Sequence, residues 1–377
     1  MAKTGIEAQR LYRSKKHGME IVALETLREL QQSDKTNNYE IFVADDEDVC
    51  LASSGNFSVN VLPSRFYPLW EQFLLPREAR KRGVTLLHCT ANTAPLKFQG
   101  DLIITIHDLI FLESFELNAS PYQVFGNLYR RLIVPRVAKK AKYIVTVSEY
   151  SKKIIADRLK IDSEKIRVIY NGVSPVFKKI EDDEMLNQFR KAYELPDNYL
   201  LHFGNTAPRK NTANVLKAFR YYRDKNDKPM KLVIAGCKPE VVHSICKKDH
   251  LEKLLPDIIL TGYLKAEELP LLYNQATIFL YPSLNEGFGL PVIESMACGT
   301  PVITSNSSCL PEISGDAAIL VNPEDPAHIA AAIEKLSNKE VYTACIEKGF
   351  ENAKRFSWKL TAEKTRRLYE EVYSIRN

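Results

Sequence analysis

Short apolar stretches rich in Ile, Val and Phe alternate with longer amphipathic stretches along the first half of the chain. Such runs of about four to eight residues, bounded by turn residues, are typical of buried β-strands, and the stretches between them have the length of helices. The alternation predicts a parallel α/β fold. The strands predicted in this half are EIFVA (40–44), TLLHC (85–89), DLIITIHD (101–108), YIVTVS (143–148) and IRVIYNG (166–172).

The same rhythm begins again after residue 175. No close sequence repeat accompanies it, so we predict two similar domains, each a doubly wound parallel sheet, rather than a solenoid. The strands predicted in this half are YLLHFGN (199–205), KLVIAG (231–236), IILTGYL (258–264), ATIFLYPS (276–283), TPVITSN (300–306) and AAILV (317–321).

The predicted domain boundary follows the strand IRVIYNGV, where Asn171 and Gly172 form a turn dipeptide. A length of 377 residues exceeds the size at which a single core usually keeps growing, which also favours two domains. We therefore expect a first domain at 1–173 and a second at 174–356. The residues 357–377 have the apolar stripe of a last helix, which by its pattern alone would simply cap the second domain.

Composition indicates a folded, soluble, cytoplasmic protein. Of the residues, 45% are hydrophobic and 26% charged, and the longest apolar run, LIITIHDLIFL, is interrupted by His107 and Asp108 well short of a membrane span of about 20 residues. The amino terminus lacks the apolar segment of a signal peptide. Seven cysteines without a C-x-x-C pair favour reduced thiols over a disulfide framework or a zinc site.

The small positive net charge is unevenly placed. Residues 1–175 hold 25 Lys/Arg against 20 Asp/Glu, and the remaining residues hold 27 of each, so the whole excess of +5 lies in the first half. The basic stretches REARKR (77–82) and RRLIVPRVAKKAK (130–142) are suited to an anionic lipid surface or an anionic acceptor. Solvated helix faces are an equally good interpretation of both stretches.

The segment LNEGFGL (284–290) follows a predicted strand and precedes a helix, with Pro291 suited to the helix start. Ligands of open α/β sheets bind beyond the carboxyl ends of strands, and a helix start offers N–H groups to an anion, which Gly287 and Gly289 would let approach closely. The segment therefore predicts a phosphate site.

Glu286 and Glu294 flank this loop, and a carboxylate repels phosphate but accepts paired hydrogen bonds from vicinal hydroxyls. We expect Glu294, placed by the pattern in the first helical turn, to bind ribose, and Glu286 to bind hydroxyls on the far side of the phosphates. A nucleotide sugar has this layout. The simpler alternative is that both carboxylates only favour the helix dipole, worth about 0.3 to 1 kcal/mol each.

Arg209 and Lys210 follow the first strand of the second domain and precede a helix whose start is predicted at Asn211 or Thr212. Positive charge is mildly unfavourable at a helix start, so its placement there indicates an anionic ligand. An exposed basic pair on a loop is the alternative.

His107 and Asp108 end an apolar strand and so lie at the ligand-binding edge of the predicted first sheet. His107 is suited to binding a sugar hydroxyl or stabilising developing charge, although a lone histidine is more often structural. Gly18 precedes an amphipathic helix and offers a further N–H pocket, or is an ordinary loop glycine. No histidine spacing supports a metal site, and the acidic run DDED (45–48) is expected in a surface loop.

Together these motifs resemble the retaining glycosyltransferases of family four, which have the GT-B fold of two facing Rossmann-like domains. The resemblance covers nearly the whole chain. YPSLNEGFGLPVIESMACGTPVI carries that family's paired-glutamate signature, and IHDL, VSEYSK, IYNGV, PRKN, TGYL and the terminal FSW match in the family's order.

The resemblance implies roles for the predicted site residues. Arg209 and Lys210 would hold the donor diphosphate and Glu294 the ribose. Glu286 would be catalytic and would bind the donor sugar and phosphates. His107 would lie beside the reacting carbon, and Gly18 would approach the phosphates from the opposite domain. Further donor contacts would come from the N–H groups of Phe288, Gly289 and Leu290.

The resemblance also implies that residues 357–377 cross back onto the first, acceptor-side domain. One position departs from the family, because many members have Arg where this chain has Asn205. Asn205 would then contribute less to the donor phosphates, and more of their charge would rest on Arg209 and Lys210.

The implied activity is the transfer of a hexose, such as mannose or glucose, from a nucleoside-diphosphate sugar to an acceptor hydroxyl with retention of configuration. No cofactor or metal is expected, and no side-chain nucleophile is evident. The acceptor would be a glycan or a lipid-linked glycan of cell-surface polysaccharide or lipopolysaccharide synthesis. The enzyme would be cytoplasmic, in peripheral contact with the anionic inner face of the membrane, without a nucleic-acid partner.

Two other functions fit doubly wound domains less well. A nicotinamide-dependent oxidoreductase would need a G-x-G-x-x-G after an early strand, which the sequence lacks. A non-catalytic sugar-nucleotide-binding subunit is the other alternative, over which the intact paired glutamates and basic pair favour a catalytic role.

Overall fold

Parallel pairing of short apolar strands builds two sheets in the computed structural model, which describes residues 3–64, 66–112 and 121–375. The two sheets belong to two compact units, residues 1–172 with 357–377 and residues 173–356. The strands of the first sheet are β1 (Lys3–Glu7), β2 (Asn38–Ala44), β3 (Phe57–Leu62), β4 (Leu86–Cys89), β5 (Asp101–Thr105), β6 (Tyr143–Thr146) and β7 (Ile166–Val168). Those of the second are β8 (Tyr199–Phe203), β9 (Lys231–Ala235), β10 (Ile258–Gly262), β11 (Ile278–Tyr281), β12 (Val302–Ser305) and β13 (Ala318–Val321).

Both sheets have the doubly wound order. The first runs β3-β2-β1-β4-β5-β6-β7 and the second β10-β9-β8-β11-β12-β13, with every pairing parallel. In each order the chain leaves the central strand first in one direction and then in the other, which creates a switch point where ligands bind in such sheets. The predicted fold class is confirmed.

Helices cover both faces of each sheet. In the first unit they are α1 (Gly18–Ser33), α2 (Tyr67–Leu69), a π-helical turn (Trp70–Leu74), α3 (Leu75–Lys81), α4 (Pro121–Lys140), α5 (Glu149–Leu159) and α14 (Trp358–Ser374). In the second they are α6 (Asp183–Ala192), α7 (Thr212–Lys225), α8 (Pro239–Lys248), α9 (Leu269–Gln275), α10 (Leu290–Ala297), α11 (Leu310–Ser314), α12 (Pro326–Lys335) and α13 (Lys339–Ala353). Each sheet thus has one apolar core on each face.

The last helix, α14, packs within the first unit. Its Tyr369 and Tyr373 hydroxyls reach the sheet, at 2.6 Å from His88 Nδ1 and 2.7 Å from Thr4 Oγ1. Glu371 accepts a 2.9 Å ion-pair hydrogen bond from Arg167. The chain therefore leaves the first unit after β7, builds the second, and returns to complete the core of the first.

Candidate functional site

The loop between β11 and α10 is shaped by one glycine. Gly289 occupies the position before α10 with a φ of +102°, a conformation that L side chains rarely adopt. A Cβ at this position would also lie 2.8 Å from the Leu310 side chain. Gly289 is thus required both by its backbone conformation and by packing, and it sets the direction in which the N-terminus of α10 points.

Glu286 lies in this loop at the centre of a buried ion-pair cluster. Its Oε2 accepts a hydrogen bond from Arg209 and its Oε1 one from Lys210, both at 2.7 Å. The Tyr281 hydroxyl donates to Oε1 at 2.9 Å and accepts from Lys210 at 2.6 Å. Burial opposes ionisation of Glu286, but Lys210 and Arg209 outweigh it and hold the pKa of the carboxyl below its usual value.

The two cations reach Glu286 because their own loop is tied to the glutamate loop. Arg209 and Lys210 lie on a short 3₁₀ turn after β8 that ends at Asn211, whose φ is +63°. The Asn211 side chain donates to the carbonyls of Pro282, at 2.8 Å, and Pro323. The carbonyl of Arg209 accepts from the N–H of Leu284 at 2.8 Å. The structure therefore brings the predicted site residues Arg209, Lys210 and Glu286 together.

Two residues that the sequence analysis did not identify complete this cluster. Tyr281, the last residue of β11, bridges Lys210 and Glu286 through its hydroxyl. The Cys309 thiol lies behind the loop and donates to the carbonyls of Glu286, at 3.2 Å, and Phe288, at 3.0 Å. Strand alternation would have indicated which way Tyr281 points, whereas no local signal marks Cys309.

The rest of the predicted donor loop adjoins these contacts. Gly287 and Phe288 form the bend between Glu286 and Gly289. The Phe288 ring is buried and packs edge-to-face on Phe356 with 5.7 Å between ring centroids. Leu290 is the first residue of α10. The loop backbone is consequently anchored on its inner side by an aromatic contact.

Glu294 lies one residue further along α10 than predicted. The helix begins at Leu290, one residue before the predicted first position at Pro291, so Glu294 is its fifth residue and falls just beyond the first turn. The Tyr273 hydroxyl donates to its Oε2 at 3.0 Å. Burial raises the pKa of Glu294 to about 7, and the tyrosine bond only partly opposes this effect. The carboxyl is thus poised to lose its proton near neutral pH.

Asn205 follows β8 and is exposed at the carboxyl edge of the second sheet. Its side-chain Oδ1 accepts a hydrogen bond from the N–H of Ala207 at 2.8 Å, which closes the turn between β8 and the Arg209 loop. At this position, where the family resemblance implies a cation in many members, this chain therefore has a residue that shapes the turn.

In the first unit, His107 lies two residues beyond the end of β5 and is buried. Its Nε2 lies 3.0 Å from the carbonyl of Thr90, which assigns the proton to Nε2 and leaves Nδ1 as an acceptor in the neutral ring. Burial lowers the pKa of His107, opposed by the Thr90 bond and by Asp108. His107 is therefore neutral at physiological pH.

Gly18 is the first residue of α1 rather than the residue before it. The N–H of His17 donates to Glu20 at 3.0 Å, which fixes the start of this helix. A Cβ at Gly18 would meet no atom within 4 Å, so packing within the unit does not require glycine here. The predicted role of Gly18, close approach of backbone to a phosphate, remains compatible with this open position.

Thr90 connects His107 to a buried carboxyl that the sequence analysis did not identify. The Glu7 side chain accepts hydrogen bonds from the N–H groups of Gln9, at 2.9 Å, and Thr90, at 3.2 Å. Burial raises the pKa of Glu7 to about 7, while these backbone bonds oppose the shift. The N–H of Thr90 thus binds the Glu7 carboxyl, and the carbonyl of Thr90 binds the neutral His107 imidazole, at the edge of the first sheet.

The acidic run at 45–48 lies on the surface as predicted, with Asp48 paired to Lys16. Across the described residues, no group of three His, Cys, Asp or Glu side chains is arranged to hold a metal ion. Within the same ranges, no helix combines the length and apolar character that crossing a bilayer requires.

Comparison with protein families gives two adjoining matches. The family model described as Glycosyl transferases group 1 matches residues 185–352, and that of Glycosyltransferase Family 4 matches residues 16–177. The two matches fall on the second and first units and together cover most of the chain. The first includes Arg209, Lys210, Glu286 and Glu294, and the second includes Gly18 and His107.

Several curated relatives are named as mannosyltransferases. The O-antigen chain mannosyltransferase RfbU of Salmonella typhimurium is 30% identical over 281 residues, covering 72% of each chain. The O-antigen chain mannosyltransferase B of Escherichia coli is 32% identical over 237 residues, and this chain spans only 61% of its length. The serotype-specific mannosyltransferase WbdA of Escherichia coli is 29% identical, with 32% of its length spanned.

Solved structures share the fold at low sequence identity. The sucrose-phosphate synthase of Thermosynechococcus elongatus superposes with a TM-score of 0.76 at 19% identity over the full length of both chains. The Anabaena protein HepE in complex with UDP and glucose gives 0.74 at 16% identity, covering 98% of this chain and 100% of HepE. At these identities the likeness supports the two-domain fold alone.

Proposed function

Because the chain belongs to the group 1, family 4 glycosyltransferases, we propose that it transfers a hexose from a nucleoside-diphosphate sugar to an acceptor hydroxyl with retention of configuration. The names of its relatives favour mannose as the hexose, with glucose as the alternative. They also favour a role in cell-surface polysaccharide or lipopolysaccharide synthesis. Because the chain belongs to this glycosyltransferase family, the nicotinamide-dependent oxidoreductase considered above is not proposed.

The observation that carries the proposal is the cluster of Arg209, Lys210 and Glu286 at the end of the second sheet. Two cations and one carboxylate leave a net positive site beside the start of α10, which attracts a diphosphate through charge and backbone N–H groups. When the phosphates bind Arg209 and Lys210 in place of Glu286, the Glu286 carboxylate can accept hydrogen bonds from the hydroxyls of the donor sugar. The same three side chains thus bind both parts of the donor.

Glu294 would bind the ribose of the donor. Its carboxylate can accept two hydrogen bonds from vicinal hydroxyls, and the Tyr273 hydroxyl at 3.0 Å holds it in place. Because the pKa of Glu294 is raised to about 7, bound hydroxyls would favour the ionised form and lower that pKa. Ribose binding would therefore release a proton near neutral pH.

In the proposed reaction, the bond between the sugar carbon and the phosphate oxygen breaks as the acceptor oxygen attacks from the same face. The proton of the acceptor hydroxyl passes to the departing phosphate oxygen, so neither a protein nucleophile nor a metal is required. Arg209 and Lys210 neutralise the charge that develops on the diphosphate. Neutral His107 would hydrogen-bond a hydroxyl next to the reacting carbon.

The acceptor would be a glycan, either free or linked to a lipid, and the protein would act in the cytoplasm in peripheral contact with the membrane. The excess of basic residues in the first half of the chain supports a negatively charged surface as a partner. No nucleic-acid partner is proposed.

A donor screen tests the proposal. Purified protein is melted with GDP-mannose, UDP-glucose or ADP-glucose, since a ligand that binds only the folded state at about 100 times its dissociation constant adds about 2.7 kcal/mol of stability. The bound donor is then incubated with a polysaccharide or lipid-linked acceptor, and release of the nucleoside diphosphate is measured. Binding of a donor without turnover on any acceptor would favour a non-catalytic subunit, and NADH binding in place of sugar nucleotides would reject the proposal.

A further inference from the structure

Two neighbouring helical segments of the first unit expose large apolar side chains on the same side. The first is the continuous helical run formed by α2, the π turn and α3, and the second is α4. The exposed fraction of these side chains ranges from 38% for Val124 to 62% for Phe73. The set, hereafter the apolar face, comprises Phe66, Leu69, Phe73, Val124, Phe125, Leu128 and Leu132.

The apolar face is continuous across the two segments. The rings of Phe66 and Phe125 lie 6.2 Å apart between centroids, although one precedes α2 and the other is on α4. Behind them, the rings of Tyr67 and Tyr129 pack edge-to-face at 5.7 Å. Exposed apolar residues scattered singly need no explanation, but a contiguous set such as this one marks an interaction surface.

A buried carboxyl holds the two segments together beneath the apolar face. Glu71, in the π turn, accepts hydrogen bonds from the Tyr129 hydroxyl at 2.6 Å, from Tyr67 and from Thr93. The Gln72 amide adds a 2.9 Å bond to the same Tyr129 hydroxyl. The exposed side chains are therefore presented by a cross-braced pair of helices and not by a loose loop.

On both segments the apolar stripe continues into a basic stripe. Along the first, Leu69 and Phe73 are followed on the same helical face by Arg77 and Arg80, which are exposed. Along the second, Leu128 and Leu132 are followed at helical spacing by Arg136 and Lys139, also exposed. Each helix thus places apolar side chains next to cations on one surface.

We propose that this surface docks onto an anionic lipid bilayer, with the apolar face inserted at the headgroup boundary and the basic stripes against anionic headgroups. Helices that lie in a membrane interface combine Phe and Leu on one side with flanking Lys and Arg, and both attractions contribute to binding. The charge complementarity selects an anionic membrane over a neutral apolar partner. The inference rests on the proposed function in one respect, since a lipid-linked acceptor would explain why the enzyme docks.

Co-sedimentation with lipid vesicles tests the docking surface without any turnover. The full chain is mixed with vesicles of phosphatidylcholine alone or of phosphatidylcholine with about 30% phosphatidylglycerol. We expect binding to the anionic vesicles that weakens as salt is raised, because the headgroup attraction is screened. The double variants Phe73→Ser with Leu128→Ser, and Arg77→Gln with Arg136→Gln, should each bind about tenfold more weakly.

A matched control replaces two exposed apolar residues of the second unit, Val176 and Met185, by serine, and should bind like the original protein. If the apolar variant melts early, the charge variant decides alone, because its substitutions are on exposed side chains. Equal binding by both surface variants and the original would overturn the proposal. So would a surface that instead holds two copies together, seen as a dimer that the variants dissociate in analytical ultracentrifugation.

Transfer to a soluble acceptor, measured on the same variants, separates this proposal from the proposed function. Surface variants that lose vesicle binding but retain soluble transfer would support both. Protein that binds vesicles through this surface but transfers no sugar would support the docking surface and contradict the proposed function.

Discussion

Lys210 and Glu286 form an ion pair of 2.7 Å, although 76 residues separate them in the sequence. Glu286 holds Arg209 at the same distance, so one carboxylate neutralises half of the positive charge of the two cations. A diphosphate that binds these cations must compete with Glu286. This competition distinguishes the site from a simple phosphate pocket and determines what its variants should do.

Replacing Glu286 by Gln should separate binding from catalysis. Removal of the competing charge should tighten binding of a nucleoside diphosphate about tenfold, whereas loss of the carboxylate proposed to bind the donor sugar should lower the rate of transfer about 100-fold or more. Calorimetry with the diphosphate and a turnover assay measure the two effects. The exposed carboxylate Glu324, replaced by Gln, is the control and should change neither.

Replacing Lys210 by Met gives the opposite result for binding, because it removes a cation and leaves Glu286 with Arg209 alone. Diphosphate affinity should fall about tenfold or more. If Glu286→Gln weakened diphosphate binding as Lys210→Met does, the competition inferred from the ion pairs would be wrong.

Donor binding should depend on pH through Glu294. Because the pKa of this carboxyl is about 7, it is mostly protonated at pH 6 and mostly ionised at pH 8, and only the ionised form accepts two hydroxyl hydrogen bonds. Donor affinity measured by calorimetry should therefore rise up to about tenfold between these values. The Glu294→Gln variant should bind weakly without this trend, and an equally steep trend in that variant would assign the effect to another group.

Glu294 should also make the free energy of unfolding depend on pH. This contribution falls as pH rises, whereas donor affinity increases. The folded pKa of Glu294 lies above that of the unfolded chain, so the native state holds a proton that the unfolded state has lost between about pH 4.5 and 7. The contribution of this group to the free energy of unfolding falls as pH rises through this window. Glu294→Gln should consequently be more stable than the original protein at pH 8, with the difference shrinking towards pH 5.

Two glycine substitutions should have contrasting effects. Gly289→Ala should destabilise the protein by about 1 to 3 kcal/mol, because its φ is +102° and a Cβ would meet Leu310 at 2.8 Å. Gly18→Ala should leave the melting temperature unchanged or slightly raised, because nothing lies within 4 Å. If Gly18 approaches the donor phosphates, its alanine variant should still raise the KM for donor; an unchanged KM would make Gly18 an ordinary helix start.

Replacing His107 by Asn should lower kcat about 100-fold with little change in the donor KM, as expected for a contact made mainly in the transition state. Since burial lowers the pKa of His107 below its usual value, ionisation of this histidine should not limit the rate at neutral pH. The exposed His243→Asn variant is the control. Unchanged kcat in the His107 variant would leave only a structural role for this residue.

The second sheet could be predicted almost completely, because its strands are uniform apolar runs and all six appear in the structure. In the first sheet, β1 and β3 were missed. The short β1 contains the polar residues Lys3, Thr4 and Glu7, which look unlike a buried strand. The hydroxyl of buried Thr4 is hydrogen-bonded to Tyr373 of α14, and the carboxyl of buried Glu7 accepts hydrogen bonds from the N–H groups of Gln9 and Thr90. These distant partners give no local signal.

The residues of the candidate site also divide into those that the sequence could indicate and those that it could not. Loops marked by glycine, paired glutamates and a basic pair could be predicted, because each motif carries its own chemistry. Tyr281, Tyr273 and Cys309 were missed, because a tyrosine or cysteine acquires a role only from the group it faces. Glu71 was missed for the same reason, since its four partners lie on three separate segments.

Proton NMR of the product formed from an α-linked nucleoside-diphosphate hexose tests the central claim most directly. Same-face transfer at the Arg209, Lys210 and Glu286 site predicts an α-linked product, formed by the original protein and strongly reduced in Glu286→Gln. A β-linked product, or α-linked product formed equally fast by Glu286→Gln, would contradict the account.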